Sequence, residues 1–395
     1  QFNLVLEDKS GSEFTNEQRT IFFQENLRFF YNLLKNLKPD IIIFWDLPHT
    51  SENFILYKLG KKLGIKILIK HDIKLLKRSF FSNDLLVSKI PKLDKKEKIG
   101  QEQNDIVEDL KKFHLPKHIK NYVSKVKNLE LKHFFNFKES EIAIRKNNKI
   151  KSYFSNFGYQ IFRIFIMFKN YQTYSIYRSL CKKNLEVDKK TVTFFSNFQP
   201  EGVSNIWAPI FTNQEIALQM LSDGLPTGWK IVYKEYPKSL VHPTGRIYYT
   251  RHKEYFERLS KIKNLYFIDD RFKNEDLINN SGAVATVNGT VGWESLNHNK
   301  KILIFGDIWY KNCPGVSTIE SSDQCFGILK DLENNSEEVG PNEQKVTSFR
   351  NELINNTYNE FVDKFDYQNK LSEKKVMSIL DKLIFTMNYY EKKNS

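Results

Sequence analysis

Five short apolar runs, at 192–195, 229–233, 265–268, 283–287 and 302–305, recur in the second half of the chain, and segments of helical period lie between them near 214–221, 247–259, 274–280 and 291–297. This alternation constrains the fold more than any other feature. A strand can pair in parallel with the next only through a long crossover, and a crossover of this length is a helix. Regular strand and helix alternation therefore predicts a parallel sheet wrapped by helices on both faces. Ligands of such sheets bind beyond the carboxyl ends of the strands, so the loops that follow the runs are where chemistry is expected.

At 395 residues the chain exceeds one ordinary core and fits two domains. Thr15 and Gln18 form a capping-box pattern ahead of Phe23, Leu27, Phe30, Leu34 and Leu37, whose spacings of four and three predict one buried helical stripe. Pro39 and Asp40 stop that helix. The run 41–45 then reads as a strand buried on both faces, and an amphipathic stretch near 53–63 leads to a second run at 65–69. Strand, helix, strand is a βαβ unit. Residues 90–150 are rich in Lys, Glu and Asp and read as a charged helical insertion. The expected division is a first Rossmann-like domain over 1–185, a second over 186–345, and C-terminal helices over 346–395 that pack back across both.

A 40% hydrophobic and 14% aromatic content supplies enough apolar material for two cores and excludes bulk disorder. The formal charge of +14 favours anionic partners, which include sugar nucleotides, acidic glycans, lipid headgroups and nucleic acid. Dispersed lysines and the lack of a recognised module weigh against nucleic acid. Cys181, Cys313 and Cys325 are odd in number and lack metal-type spacing, so neither a disulfide framework nor a zinc site is expected. No stretch approaches the roughly 20 apolar residues of a bilayer span. No basic-then-apolar signal segment opens the sequence, although its first residue is Gln rather than Met. A cytoplasmic location is expected. Residues 153–180 mix many aromatic and aliphatic residues with Arg163, Lys169 and Arg178, and read either as a core helix or as an amphipathic helix on the inner face of the cytoplasmic membrane.

Four strand-end loops carry candidate chemistry. Asn288, Gly289, Thr290, Val291, Gly292, Trp293 and Glu294 follow one apolar run and open a helix, where exposed backbone amides meet phosphate. Thr290 adds a hydroxyl, and Glu294, one turn on, has the reach to accept hydrogen bonds from ribose. An ordinary helix start fits the same residues. Lys234, Glu235, Tyr236 and Pro237 end another run, with His242 beyond, and place a point charge for a diphosphate; a solvated charged turn reads equally well. Gln199, Pro200 and Glu201 put a carboxylate at a third strand end, suited to a general base or an electrostatic stabiliser. Asp46 and His49 lie in the fourth loop, where Asp46 is placed to orient a histidine that exchanges protons near neutrality.

In this order the segments resemble the bacterial capsule polysaccharide biosynthesis proteins, a group that includes transferases of ulosonic acids such as Kdo. The resemblance rests on Pro39-Asp40 through Pro48-His49, Gly64-Ile65-Lys66, Gln199 to Glu201, Leu225 to Lys230, Lys234 to Pro237, and Asn288 to Glu294 followed by 301–306. It covers most of 40–70 and 190–310. Tyr236 stands where the pattern has histidine, and tyrosine does not become cationic near neutral pH to meet a phosphate. His242, followed by Pro243, is a possible replacement.

The resemblance implies an α/β fold of the GT-B type, two Rossmann-like domains facing a central cleft, with acceptor on the first and nucleotide on the second. It implies a glycosyltransferase moving a sugar from a CMP-linked donor to a surface polysaccharide or glycolipid. Gln199, Lys234, Glu235, Pro237, His242, Asn288, Gly289, Thr290, Gly292 and Glu294 are the expected donor contacts. Glu201 is the first choice for the catalytic carboxylate, with His49 and Asp46 in reserve. Asp269 and Asp270 are adjacent, point different ways along a strand, and make a weak metal site, so neither a metal nor another cofactor is expected. Two rivals remain at this level: a polymerase transferring polyol phosphate from a CDP-linked donor, and a noncatalytic nucleotide-binding protein of glycan assembly.

Overall fold

The computed structural model describes residues 15–76, 78–86, 153–199, 202–240, 251–334 and 343–358. The charged stretch 90–150 lies outside them, as do Glu201 and His242.

The first unit begins with α1 (Asn16–Leu37), whose start is fixed by reciprocal bonds: Thr15 Oγ1 accepts from Gln18 N (3.2 Å) and Gln18 Oε1 accepts from Thr15 N (2.8 Å). Its apolar stripe is less covered than the spacing predicts. Leu34 alone among the stripe is buried, Phe23, Leu27 and Phe30 are half-buried, and Leu37 is exposed. β1 (Ile41–Phe44), α2 (Ser51–Lys62) and β2 (Lys66–Ile73) form the expected parallel βαβ unit. β1 has one neighbour among the described strands, and Ile43 is exposed where burial on both faces was expected. β3 (Arg78–Ser82) pairs antiparallel with β2 and was not read from the sequence.

α3 (Tyr153–Leu180) leads into the second unit, a six-stranded sheet in the order β6-β5-β4-β7-β8-β9 with every pairing parallel. Its strands are β4 (Thr191–Phe195), β5 (Lys230–Lys234), β6 (Leu265–Phe267), β7 (Ala283–Thr286), β8 (Lys301–Ile304) and β9 (Val316–Thr318). The helices between them are α4 (Gly202–Trp207), α5 (Gln214–Asp223), α6 (Lys253–Leu259), α7 (Asn274–Asn280) and α8 (Val291–Leu296), and α9 (Ser322–Asn334) and α10 (Glu343–Asn355) follow. The strand order reverses between β4 and β7. This is the order of a doubly wound, Rossmann-like sheet, and together with the smaller α/β unit of β1 to β3 it gives the two-unit α/β arrangement of the GT-B class expected above.

Both faces of the central strands are buried, and alternate residues feed different cores. Val192, Phe194, Ile231, Tyr233, Ala283 and Ala285 pack with α5 and α6 on one side. Phe195, Val232, Val284 and Val291 pack with Leu277 and Ile278 of α7 on the other. The units are joined by packing: Ile73 and Phe80 share a cluster with Trp293, Ile302 and Ile304, and Trp207 Nε1 donates to Leu85 O (2.8 Å). The chain beyond α10 returns to the first unit, where Ser79 and Tyr358 exchange backbone bonds of 2.9 and 2.7 Å and Arg78 Nε donates to Thr357 Oγ1 (2.6 Å).

Leu303 is fully buried at the centre of β8. Leu303→Ala should therefore cost about 2–5 kcal/mol of unfolding free energy, read by urea denaturation.

Candidate active site

At the switch point between β4 and β7 one side chain joins the loops that follow those two strands. Asn197, two residues past β4, donates from Nδ2 to Asn288 Oδ1 (2.8 Å) and accepts at Oδ1 from Thr286 Oγ1 (3.0 Å). Thr286 Oγ1 accepts in turn from Gly289 N (3.2 Å), and Ser204 Oγ of α4 donates to Asn288 Oδ1 (3.2 Å). The Asn197 backbone is gripped as firmly. Gln214 accepts from its N–H (3.0 Å) and donates to its carbonyl (2.8 Å), and Arg251 Nη2 also donates to that carbonyl (3.2 Å). Asn288 is thus a buried positioning residue of the loop rather than an open contact.

Glu235, expected as a donor contact, is fully buried. Four donors surround its carboxylate: Ser196 Oγ (2.5 Å), Tyr233 Oη (2.5 Å), Arg251 Nε (2.7 Å) and Tyr236 N (2.8 Å). All the oxygen lone pairs it needs are engaged, so its role is to lock the β5 loop to the β4 loop. Arg251 escaped the sequence reading because nothing in local spacing marks a cation 16 residues away as the partner of Glu235. Tyr236 is exposed and meets Phe198 edge-on, with ring centroids 6.1 Å apart.

Lys234 is buried and turns toward the loop after β6, donating to Phe272 O and to Asn274 Oδ1 (2.6 Å). In that loop Asp270 is buried, and neither carboxylate oxygen has a hydrogen-bond partner among the described residues; Arg178 Nη1 lies 3.6 Å from Oδ1. Burial, and then the Asp269 charge, push its carboxyl up to about 6. Asp269 instead pairs with Arg178 and with Arg271, whose Nε and Nη2 donate at 3.0 and 2.8 Å. The two aspartates do not point apart as the spacing predicts, since both carboxylates reach Arg178 Nη1. Among the described residues no three His, Cys, Asp or Glu side chains gather to hold a metal ion.

The helix start keeps free groups. Tyr310 Oη donates to Gly289 O and sits so close that a Cβ on Gly292 would meet it at 2.3 Å, which explains glycine there. Thr290 is exposed and its hydroxyl makes no cap bond. The Thr290 and Val291 amides find no acceptor among the described residues. Glu294 is half-buried, and no described residue donates a hydrogen bond to its carboxylate. Burial pushes that carboxyl up to about 7, with the Lys234 charge pulling the other way.

The remaining expected residues stand apart from one another. Gln199 is buried and Pro237 begins a short 3₁₀ turn that ends at Leu240. Asp46 and His49 do not form the expected dyad: Asp46 is exposed and accepts from Leu47 N (2.8 Å), whereas His49 Nδ1 lies 2.7 Å from Leu47 O. Both side chains turn back on their own loop, which an Asp-x-x-His spacing does not reveal. A different histidine, His71 in β2, is buried between Phe80 and Trp207 with Nε2 2.8 Å from Ser82 Oγ, and burial lowers its pKa to about 4.

The model of the family described as capsule polysaccharide biosynthesis protein matches residues 211–325, the region from α5 to α9. No curated protein matches the chain. Among solved structures, KpsC of Thermosulfurimonas dismutans, a beta Kdo 2,7 transferase, is similar at 17% identity and a TM-score of 0.27. That match covers 40% of this chain and 46% of KpsC, so the chain spans less than half the length of that protein. MnaA of S. aureus, solved with UDP, is similar at 14% identity and a TM-score of 0.28 over 90% of this chain and 83% of that one. The UDP-GlcNAc 2-epimerase of Methanocaldococcus jannaschii gives 12%, 0.28, 86% and 82% for the same measures.

Two outcomes follow for the free protein. Arg251→Met leaves the Glu235 carboxylate buried without its cation and should cost about 3–5 kcal/mol by chemical denaturation, part of which the double variant with Glu235→Gln recovers. Because the folded Glu294 pKa lies above its unfolded value, the folded state binds more protons between about 4.5 and about 7. Stability should therefore fall as pH rises through that window, and Glu294→Gln should remove that slope from melts recorded at several pH values.

Proposed function

We propose that this protein is a glycosyltransferase of surface polysaccharide synthesis whose second unit holds a nucleotide-linked sugar at the β4, β5 and β7 strand ends. The observation that carries the reading is the pairing of two free amides, at Thr290 and Val291, with the unengaged carboxylate of Glu294 one turn further on. Amides suit the phosphate, and a carboxylate without donors suits the ribose hydroxyls. The match of 211–325 to the capsule family supports the same assignment, since it spans the β5 and β7 loops.

In this reading the Thr290 hydroxyl and the amides beside it stabilise the charge that develops on the leaving phosphate, with Lys234 adding positive potential from beneath. Glu235 and Arg251 keep the loops from moving as that charge appears. Glu201, outside the described residues, is the proposed carboxylate at the acceptor. The donor is proposed to be CMP-linked and to carry an ulosonic acid, the acceptor a glycan or glycolipid, and the reaction to need no metal. Location at the inner face of the cytoplasmic membrane completes the proposal, and no described helix is long and apolar enough to cross a bilayer.

Thermal shifts with CMP, CDP, UDP and GDP test the donor, because a ligand of the native state raises the melting temperature by mass action. CMP should give the largest shift, and no shift with any of the four would overturn the reading. Ribose bonds to an ionised carboxylate are charge-assisted, so Glu294→Gln should weaken nucleotide binding by about ten- to a hundredfold. Glu201→Gln should leave binding nearly intact and abolish transfer of sugar from the bound donor; unchanged turnover would remove Glu201 from its role.

A further inference from the structure

The ladder between β5 and β6 stops one rung short of where its register would carry it. Ile231 N donates to Asn264 O (2.8 Å) and Ile268 N to Tyr233 O (3.1 Å), so in a parallel pair the next bond runs from Glu235 N to Ile268 O. That bond is not made. The hydroxyl of Tyr177, in the last turn of α3, takes its place: it accepts from Glu235 N (3.2 Å) and donates to Ile268 O (2.5 Å). On the other edge β5 keeps its ladder past the same point, since Ser196 N donates to Lys234 O (3.0 Å). The end of β5 thus follows β4 and parts from β6.

Tyr177 is held firmly in this position. Its side chain is fully buried, with the ring against Phe256 and Phe267 at centroid distances of 5.3 and 6.0 Å. The chain end of α3 is fastened to the β6 edge, where Lys182 N donates to Phe267 O (3.0 Å) and Arg178 pairs with Asp269. Both backbone groups would be satisfied equally by a direct bond, so what the hydroxyl adds is separation. Across the opening Lys234 reaches the β6 loop, with its Nζ on Phe272 O and Asn274 Oδ1 (2.6 Å), while its charge acts on Glu294 of α8, beyond β4. Closing the rung would draw the Lys234 backbone toward β6 and away from α8.

We infer that Tyr177 is a positioning residue whose hydroxyl keeps the end of β5 off β6, and so holds Lys234 where it serves the proposed leaving phosphate. The inference rests on the donor site proposed above for its consequence, though not for the separation of the strands.

A crystal structure of Tyr177→Phe reads that separation with no nucleotide present. The ring packing remains, and Glu235 N should bond Ile268 O directly at about 2.9 Å. The variant should fold and melt close to the parent, because a direct rung replaces the bonds lost. Its CMP affinity should fall about tenfold, the effect of misplacing one charged contact. Strand ends that stay apart around a water molecule would overturn the inference, as would a variant that does not fold, or a closed rung with CMP affinity unchanged. A parent that binds no CMP removes the donor assignment instead, and the rung distance then decides alone whether the hydroxyl holds the strands apart.

Discussion

Asn197 is the interaction on which the arrangement of the site depends. It sits just past the central strand at the point where strand order reverses, and such a point leaves a crevice that nothing in the sheet itself closes. One side chain bridges it. The amide reaches the β7 loop through Thr286 and Asn288, and the backbone is held by Gln214 and by Arg251, which also neutralises Glu235 at the end of β5. Every member is buried and bonded, and such a network is rigid because each unmade bond would leave a desolvated polar group.

Rigidity there leaves the neighbouring groups uncommitted. With Asn288 drawn inward and Gly289 tied to Thr286 and Tyr310, the chain enters α8 with Thr290 outward and its amide, like that of Val291, without an acceptor among the described residues. Glu294 follows on the same helix, half-buried and without a donor among the described residues, and its affinity for a proton rises accordingly. The same logic applies to Asp270 across the β5 end, where burial outweighs the nearby Arg178 and Lys234 charges. Unbonded carboxylates thus flank a bonded frame. That division between frame and free groups separates Glu235 from Glu294, although both were expected to touch the donor.

Much of the second unit was legible because parallel strands buried on both faces read as apolar runs: those at 192–195, 229–233, 265–268, 283–287 and 302–305 each match a strand to within a residue or so. β3 was not legible, since Arg78, Ser79 and Ser82 are buried there by partners elsewhere in the chain, among them Thr357 and Tyr358, 279 residues on. α9 was open to reading from Cys325, Ile328, Leu329 and Leu332, which share a helical spacing. In the site, the loops could be located because strand ends are local features, and the helix start at Asn288 to Glu294 was found in this way. The partners within the loops were hidden. Glu235 and Lys234 are neighbours in sequence, yet one is caged by Arg251 and the other turns to the β6 loop, a difference that only the folded chain creates.

The account's central claim is that a nucleotide lies at the start of α8 with its ribose on Glu294. Calorimetry of CMP binding near pH 6.5, in buffers of different ionisation enthalpy, measures the protons exchanged on binding. Ribose hydroxyls that donate to Glu294 favour its ionised form, so the account predicts proton release on binding that Glu294→Gln abolishes. Binding that exchanges no protons, or releases the same number in the variant, would contradict it.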